Sequence, residues 1–87
     1  HGAYLAANAA SREKEMLFVG IDALPQEGVA YVSQGILSAT FEYPTGGAES
    51  IDAALKILKG EKVPKEIVLG SRLFTKENVA GGGEVLK

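Results

Sequence analysis

Met16 to Asp22 form an uninterrupted apolar run that ends on a carboxylate. The run does not alternate between apolar and polar positions, and Ala23-Leu24-Pro25 closes it as a turn. This pattern is typical of a strand that is covered on both faces, as in a parallel α/β sheet. Ligands of open α/β sheets bind at the carboxyl ends of the strands. Asp22 is therefore the first candidate for a functional residue.

The flanking segments have helix and strand patterns of their own. The alanine-rich segment 2–10 lacks β-branched residues and predicts a short helix. A second helix is predicted from Pro25 to Gln34, since proline favours the first helical position and Gly35 suits the position after the last turn. Residues 36–43 alternate between apolar and polar positions and predict a second strand, which Pro44 ends.

The second half of the chain begins with the clearest helical pattern, over residues 48–59. Gly60 is positioned to end this helix. A third short strand is predicted at 67–69, and residues 72–75 continue it after Gly70. The glycine-rich residues 80–87 predict a flexible tail. The apolar positions of the helix have i, i+3, i+4, i+7 spacing and are Ile51, Ala54, Leu55 and Leu58.

Helices and strands thus alternate along the whole chain. This order predicts an α/β fold with a parallel, Rossmann-like sheet and right-handed crossovers. With 87 residues, the chain can bury only ~60–65% of its unfolded surface, so it can form at most one small domain and is expected to be incomplete as an isolated one.

Composition excludes several classes of function. A net charge of −2 and the lack of a basic stripe argue against a nucleic-acid partner. No apolar stretch approaches the ~18 residues that a membrane span requires. The chain has no cysteine, and its single histidine is residue 1. Because neither a nucleophile–base pair nor a metal cluster can be assembled, we expect no enzyme activity and no cofactor.

Four motifs in order carry a resemblance to a known family. They are Phe18-Val19-Gly20-Ile21-Asp22, Gly35 to Thr40, Ala54 to Pro64, and Thr75 to Asn78. The chain resembles, over residues 2–78, the C-terminal part of the type I periplasmic solute-binding proteins. These are the ribose-binding-like receptors of sugar ABC transporters and of some sensor kinases and chemoreceptors.

The resemblance implies that a sugar or polyol binds in a cleft between two α/β lobes. Asp22 matches a carboxylate that accepts hydrogen bonds from sugar hydroxyls, and the alternative is that it only caps the next helix or orders the turn. A polar family residue also lies at the end of the second strand. The strand end here is about two residues shorter, so both Glu42 and Tyr43 are candidates for that position. Otherwise Glu42 is a solvated strand residue and Tyr43 fills a corner of the core.

The resemblance also implies a division of the chain. Residues 1–43 correspond to the end of the C-terminal lobe, and residues 44–66 to a hinge crossing and a helix that packs on the N-terminal lobe. Residues 67–79 correspond to a returning strand segment, and 80–87 to the tail. The apolar stripe of the long helix needs a cover. We therefore expect a cleaved piece of a longer chain, a piece whose remainder lies outside this sequence, or an assembly with a second copy.

Two functions follow as hypotheses. The first is part of an extracytoplasmic, periplasmic sugar or polyol receptor that delivers its ligand to an ABC permease or signals to a sensor or chemoreceptor. Its export signal would lie outside these residues. The second is an α/β protein-interaction or regulatory fragment without a small-molecule ligand. A DNA-binding regulator is disfavoured, since the sequence contains no helix-turn-helix or basic segment.

Overall fold

A four-stranded sheet lies at the centre of the computed structural model, which describes residues 1–86. Its strands follow chain order, with β1 and β2 parallel and the β2–β3 and β3–β4 pairs antiparallel. The α/β class is as predicted, but the sheet is mixed and only its first pair of strands is parallel. The strands are β1 (Val19–Asp22), β2 (Ala39–Glu42), β3 (Ser71–Thr75) and β4 (Glu84–Leu86).

The helices lie where the sequence patterns place them. The predicted 25–34 helix consists of a π-helical turn followed by α2, and Gly35 follows it with a left-handed φ of 79°. None of the helices within residues 1–86 is long and apolar enough to cross a membrane. The helices are α1 (Gly2–Ala9), α2 (Ala30–Ser33) and α3 (Gly47–Leu58), with the π-helical turn at Pro25–Val29 and 3₁₀ turns at Glu13–Glu15 and Val79–Gly81.

The small core lies between the sheet and α2. Val32 and Thr40 are fully buried, and Phe74 is nearly so. Gly28 approaches this core so closely that a Cβ atom there would lie 3.2 Å from Thr40 Oγ1 and 3.4 Å from Ala23 Cα. The glycine therefore lets the helical segment after β1 pack directly on the sheet, as a glycine inside a predicted helix suggests.

The opposite face of the sheet is open at β1. Val19 and Ile21 are 61% and 65% exposed, whereas Phe18 packs edge-on against Tyr4 of α1. The prediction that this strand is covered on both faces is therefore wrong for the described residues. Helices α1 and α2 cover one face, and alternate side chains of a strand point to opposite faces, so Val19 and Ile21 remain on the uncovered one.

The third strand lies later in the chain than its apolar run indicated. Residues 67–69 are not in a strand, and Val68 is 86% exposed. The strand that pairs with β2 is β3, in which Phe74 lies opposite Thr40. A short apolar run has no period that fixes its structure, and here the burial of Phe74 against the core selects the later segment.

The glycine-rich end of the chain forms a strand where a flexible tail was predicted. Gly82 and Gly83 have φ angles of 89° and 84°, which reverse the chain after the last 3₁₀ turn and bring β4 alongside β3. Left-handed backbone suits glycine, so the composition that indicated mobility forms a defined turn. Lys87, the last residue of the predicted tail, lies outside the described residues.

Helix α3 projects away from the sheet. Its apolar residues Ile51, Leu55 and Leu58 are 64%, 49% and 82% exposed. The radius of gyration is 17.6 Å, against about 12 Å for a compact domain of this length. The exposed stripe agrees with the expectation that α3 requires a cover, and the assignment of residues 44–66 to a second lobe stays a prediction.

Candidate functional site

The carboxyl ends of β1 and β2 bring two of the predicted site residues side by side. The strands are parallel, and Asp22 is the register partner of Glu42. Neighbouring strands lie about 4.8 Å apart, so both carboxylates occupy one edge of the sheet. Tyr43 follows directly, where the chain leaves β2. We call Asp22, Glu42 and Tyr43 the strand-end site.

Asp22 lies in an unusual backbone conformation. Its φ is 96° and that of Ala23 is 52°, so two successive residues other than glycine are left-handed. Such residues cost of order 1–3 kcal/mol each and are concentrated at functional sites. This turn carries the chain sharply from β1 into the next helical segment and leaves Asp22 at the surface while Ala23 is buried.

The Asp22 carboxylate forms no hydrogen bond with another side chain or with the backbone within residues 1–86. The next helical segment begins after Leu24 and has no side-chain cap. The alternative that Asp22 caps this helix is therefore not what the structure shows. Its side chain is exposed at the end of the strand, where it can accept hydrogen bonds from a ligand.

Glu42 is held by an arginine that the sequence analysis did not select. Arg72 Nε donates to Glu42 Oε2 at 2.9 Å, and Arg72 Nη2 donates to Glu42 Oε1 at 3.0 Å. Arg72 Nη1 also donates to the carbonyl oxygen of Gly82 at 3.1 Å, and the guanidinium group lies 5.3 Å from the ring centre of Phe74. The two residues are 30 positions apart, so only the strand register reveals the pair.

The pair favours the ionised form of Glu42. Its pKa lies below the ordinary value of 4.5, chiefly because Arg72 donates hydrogen bonds to the carboxylate; loss of hydration opposes the shift and the positive charge of Arg72 adds to it. The same hydrogen bonds raise the pKa of Arg72. Each carboxylate oxygen of Glu42 already accepts one bond. A direct ligand contact by Glu42 stays a prediction and would use the remaining lone pairs.

The lowered pKa predicts how Glu42→Gln changes acid stability. A carboxyl group with a depressed folded-state pKa stabilises the fold above its unfolded pKa, and this contribution is lost as the pH falls through the folded-state value. The loss of stability caused by Glu42→Gln should therefore be largest at neutral pH and shrink below about pH 4.5. Urea unfolding of the unchanged protein and of the Glu42→Gln variant, from pH 7 to pH 3, measures this difference in unfolding free energy.

Glu77 also has a lowered pKa, caused first by a hydrogen bond from its own backbone amide and second by Thr75. It is present in both proteins, so its titration cancels in the comparison. A difference in unfolding free energy that stays constant from pH 7 to pH 3 would contradict a role for the ionised Glu42.

Tyr43 lies at the surface and is 69% exposed. The alternative that it fills a corner of the core is therefore not what the structure shows. Its ring can stack on an apolar sugar face, and its hydroxyl can donate or accept a hydrogen bond. The strand-end site thus combines one free carboxylate, one carboxylate paired with arginine and one exposed aromatic ring.

Comparisons with known proteins agree with the α/β fold described above. No protein-family model matches the chain. A putative rhizopine-binding protein of Rhizobium meliloti is 38% identical over 81 residues, which cover 91% of the chain. The fructose-binding periplasmic domain of a hybrid two-component system is 45% identical over 92% of the chain, with a TM-score of 0.82.

Two further solved structures are solute-binding proteins of ABC transporters. The protein from Actinobacillus succinogenes, with bound D-allose, is 26% identical over 92% of the chain and has a TM-score of 0.83. The protein from Bacillus halodurans, with bound myo-inositol, is 30% identical over 92% of the chain and has a TM-score of 0.75.

The chain spans only between 26% and 29% of the length of these four proteins. Its α/β fold nevertheless matches them over nine-tenths of its own residues, so the resemblance found in the four sequence motifs is confirmed. The chain is therefore similar to a part of the periplasmic solute-binding proteins and shares their type I fold.

Proposed function

We propose that these residues form part of a receptor that binds a sugar or cyclic polyol outside the cytoplasm, without catalysis. Asp22 and Tyr43 contact the ligand. Glu42 either contacts the ligand as well or holds Tyr43 in place. The receptor delivers the ligand to an ABC permease or signals its presence to a sensor.

The observation that carries this proposal is the strained, exposed Asp22 at the carboxyl end of β1. Its left-handed backbone costs free energy, and its carboxylate has no structural partner within the part of the chain described. A carboxylate can accept hydrogen bonds from two adjacent hydroxyl groups, which is the feature that sugars and cyclic polyols share. The bound D-allose and myo-inositol of the two similar proteins support this ligand class.

Isothermal titration calorimetry on the full gene product that carries these residues tests the proposal. The panel contains hexoses, pentoses and inositols, with amino acids and dicarboxylates as controls for other ligand classes. We expect saturable, one-to-one binding of at least one polyhydroxylated compound and no binding of the controls. Failure of every sugar and polyol in the panel would contradict the proposal and favour a fragment that interacts with proteins.

A further inference from the structure

Residues 43–70 form an arm that leaves the sheet after β2 and returns to it at β3. The arm contains α3, and no extensive packing between elements of the described chain involves this helix. Near its base, the two sides of the arm meet where Leu69 approaches Gly46. The orientation of the arm therefore depends on how its two ends are attached to the sheet.

Both ends are fastened through one residue. Ser71 Oγ donates to the backbone carbonyl oxygen of Glu42 at 2.6 Å, and Arg72 forms the two-bond pair with the carboxylate of the same glutamate. Glu42 is the last residue of β2, and Ser71 is the first residue of β3. The point of exit and the point of return are thus joined by three side-chain hydrogen bonds.

Arg72 is itself restrained from two other directions. Its third nitrogen donates to Gly82 in the turn before β4, and its guanidinium plane lies near the ring of Phe74, which belongs to the core. A planar guanidinium that binds a carboxylate through two bonds fixes the relative orientation of the groups as well as their distance. A lysine would keep the charge and lose this geometry.

We infer that Glu42, Ser71 and Arg72 form a clasp that sets the angle of the arm to the sheet, and with it the position of Tyr43 at the base of the arm. The clasp acts on the conformation of the chain, so it does not depend on the identity of any ligand. It also gives Glu42 a positioning role that is distinct from contact with a ligand.

Distance measurements between two spin labels test the clasp. Residues 1–87 contain no cysteine, so Gln34→Cys at the end of α2 and Lys59→Cys after α3 place one label on each side of the clasp. Both positions are exposed. Pulsed electron double resonance on the full gene product, with any cysteine outside these residues replaced by serine and with the labelled protein diluted in unlabelled protein, reports the distance distribution within one molecule.

We expect a single narrow distribution for the otherwise unchanged chain, and a shifted or broadened one after Arg72→Lys or Ser71→Ala. Arg12→Lys is the matched control, because Arg12 forms an ion pair with Glu15 before β1, at neither end of the arm. Circular dichroism and amide exchange in β2 and β3 show whether the sheet is intact in each variant.

An unchanged distribution in Arg72→Lys with an intact sheet would overturn the inference, as would an equal broadening in Arg12→Lys. If Arg72→Lys disrupts the sheet, the distance distribution of Ser71→Ala is used instead, because this variant leaves the pair of Arg72 with Glu42 in place. An unchanged distribution in Ser71→Ala would then overturn the inference. None of these measurements involves ligand binding. Their result therefore tests the clasp independently of the proposed receptor function.

Discussion

Replacing Asp22 by alanine is expected to weaken binding of the best sugar or polyol by roughly 100-fold or more. A hydrogen bond to a charged group contributes about 1.5–3 kcal/mol, and the carboxylate can accept two of them from adjacent hydroxyls. The loss of two such bonds is about 3 kcal/mol or more, and each 1.4 kcal/mol corresponds to a tenfold change in affinity. Calorimetry on the full gene product, with the ligand selected from the panel, measures this change.

Ala23→Gly is the control for the strained turn. Ala23 shares the left-handed backbone of Asp22 and carries no polar group, so its replacement changes the turn and leaves the carboxylate in place. We expect the affinity of this variant to stay close to that of the unchanged protein. An Asp22→Ala variant that binds normally would show that the carboxylate is not the binding group. An Ala23→Gly variant that binds as poorly as Asp22→Ala would show that a change in the turn alone accounts for the loss.

Gly83→Ala is expected to lower the free energy of unfolding by about 3 kcal/mol, from about 1–2 kcal/mol for the left-handed backbone and about 1–3 kcal/mol for overpacking. A Cβ atom at Gly83 would lie 2.9 Å from two ring atoms of Phe74 and 3.1 Å from the carbonyl oxygen of Leu73. Phe74 belongs to the core and cannot move away without disturbing Thr40. Urea unfolding followed by circular dichroism gives the change.

Gly82→Ala separates the backbone penalty from the overpacking against Phe74. Gly82 has nearly the same φ, and a Cβ atom there would meet nothing within 4 Å. Its replacement should cost only the backbone penalty, about 1–2 kcal/mol. Equal losses of unfolding free energy in the two variants would show that the contact with Phe74 contributes nothing. No loss in either variant would contradict the left-handed backbone of Gly82 and Gly83.

Local sequence signals predicted the helices and the first two strands. The alanine-rich α1, the proline at the start of the π-helical turn and the spaced apolar residues of α3 each act within a few residues of the chain. The glycine after α2 is equally local, since its left-handed φ is set by the end of one helix. For these elements tertiary contacts did not override the local preference.

The direction of β3 and the existence of β4 could not be predicted from the apolar periodicity of the sequence. Alternation along β3 reports which residues share a face, and it is the same for a parallel and an antiparallel neighbour. The segment 67–69 is more apolar than Ser71–Thr75, and only the burial of Phe74 against Thr40 selects the latter. The glycines before β4 have the composition of a flexible segment, and contact with Phe74 gives them a defined role.

The arrangement of the candidate site was predictable where it depends on a general property of parallel strands, and ligand contact by its residues stays a prediction. Strand-end position alone selected Asp22. The family resemblance selected Glu42, and the parallel register of β1 and β2 places it beside Asp22. The partner of Glu42 was not predictable, because an ion pair between residues 30 positions apart requires the register of β2 with β3. The exposure of Tyr43 likewise depends on the arm turning away from the sheet directly after it.

The most direct test is a crystal structure of the full gene product with the best ligand from the calorimetric panel. We predict that the Asp22 carboxylate lies within hydrogen-bonding distance, about 2.5–3.0 Å, of ligand hydroxyl oxygens and that the Tyr43 side chain contacts the same ligand. A ligand bound elsewhere, with the Asp22 carboxylate facing only solvent, would contradict the assignment of the strand-end site.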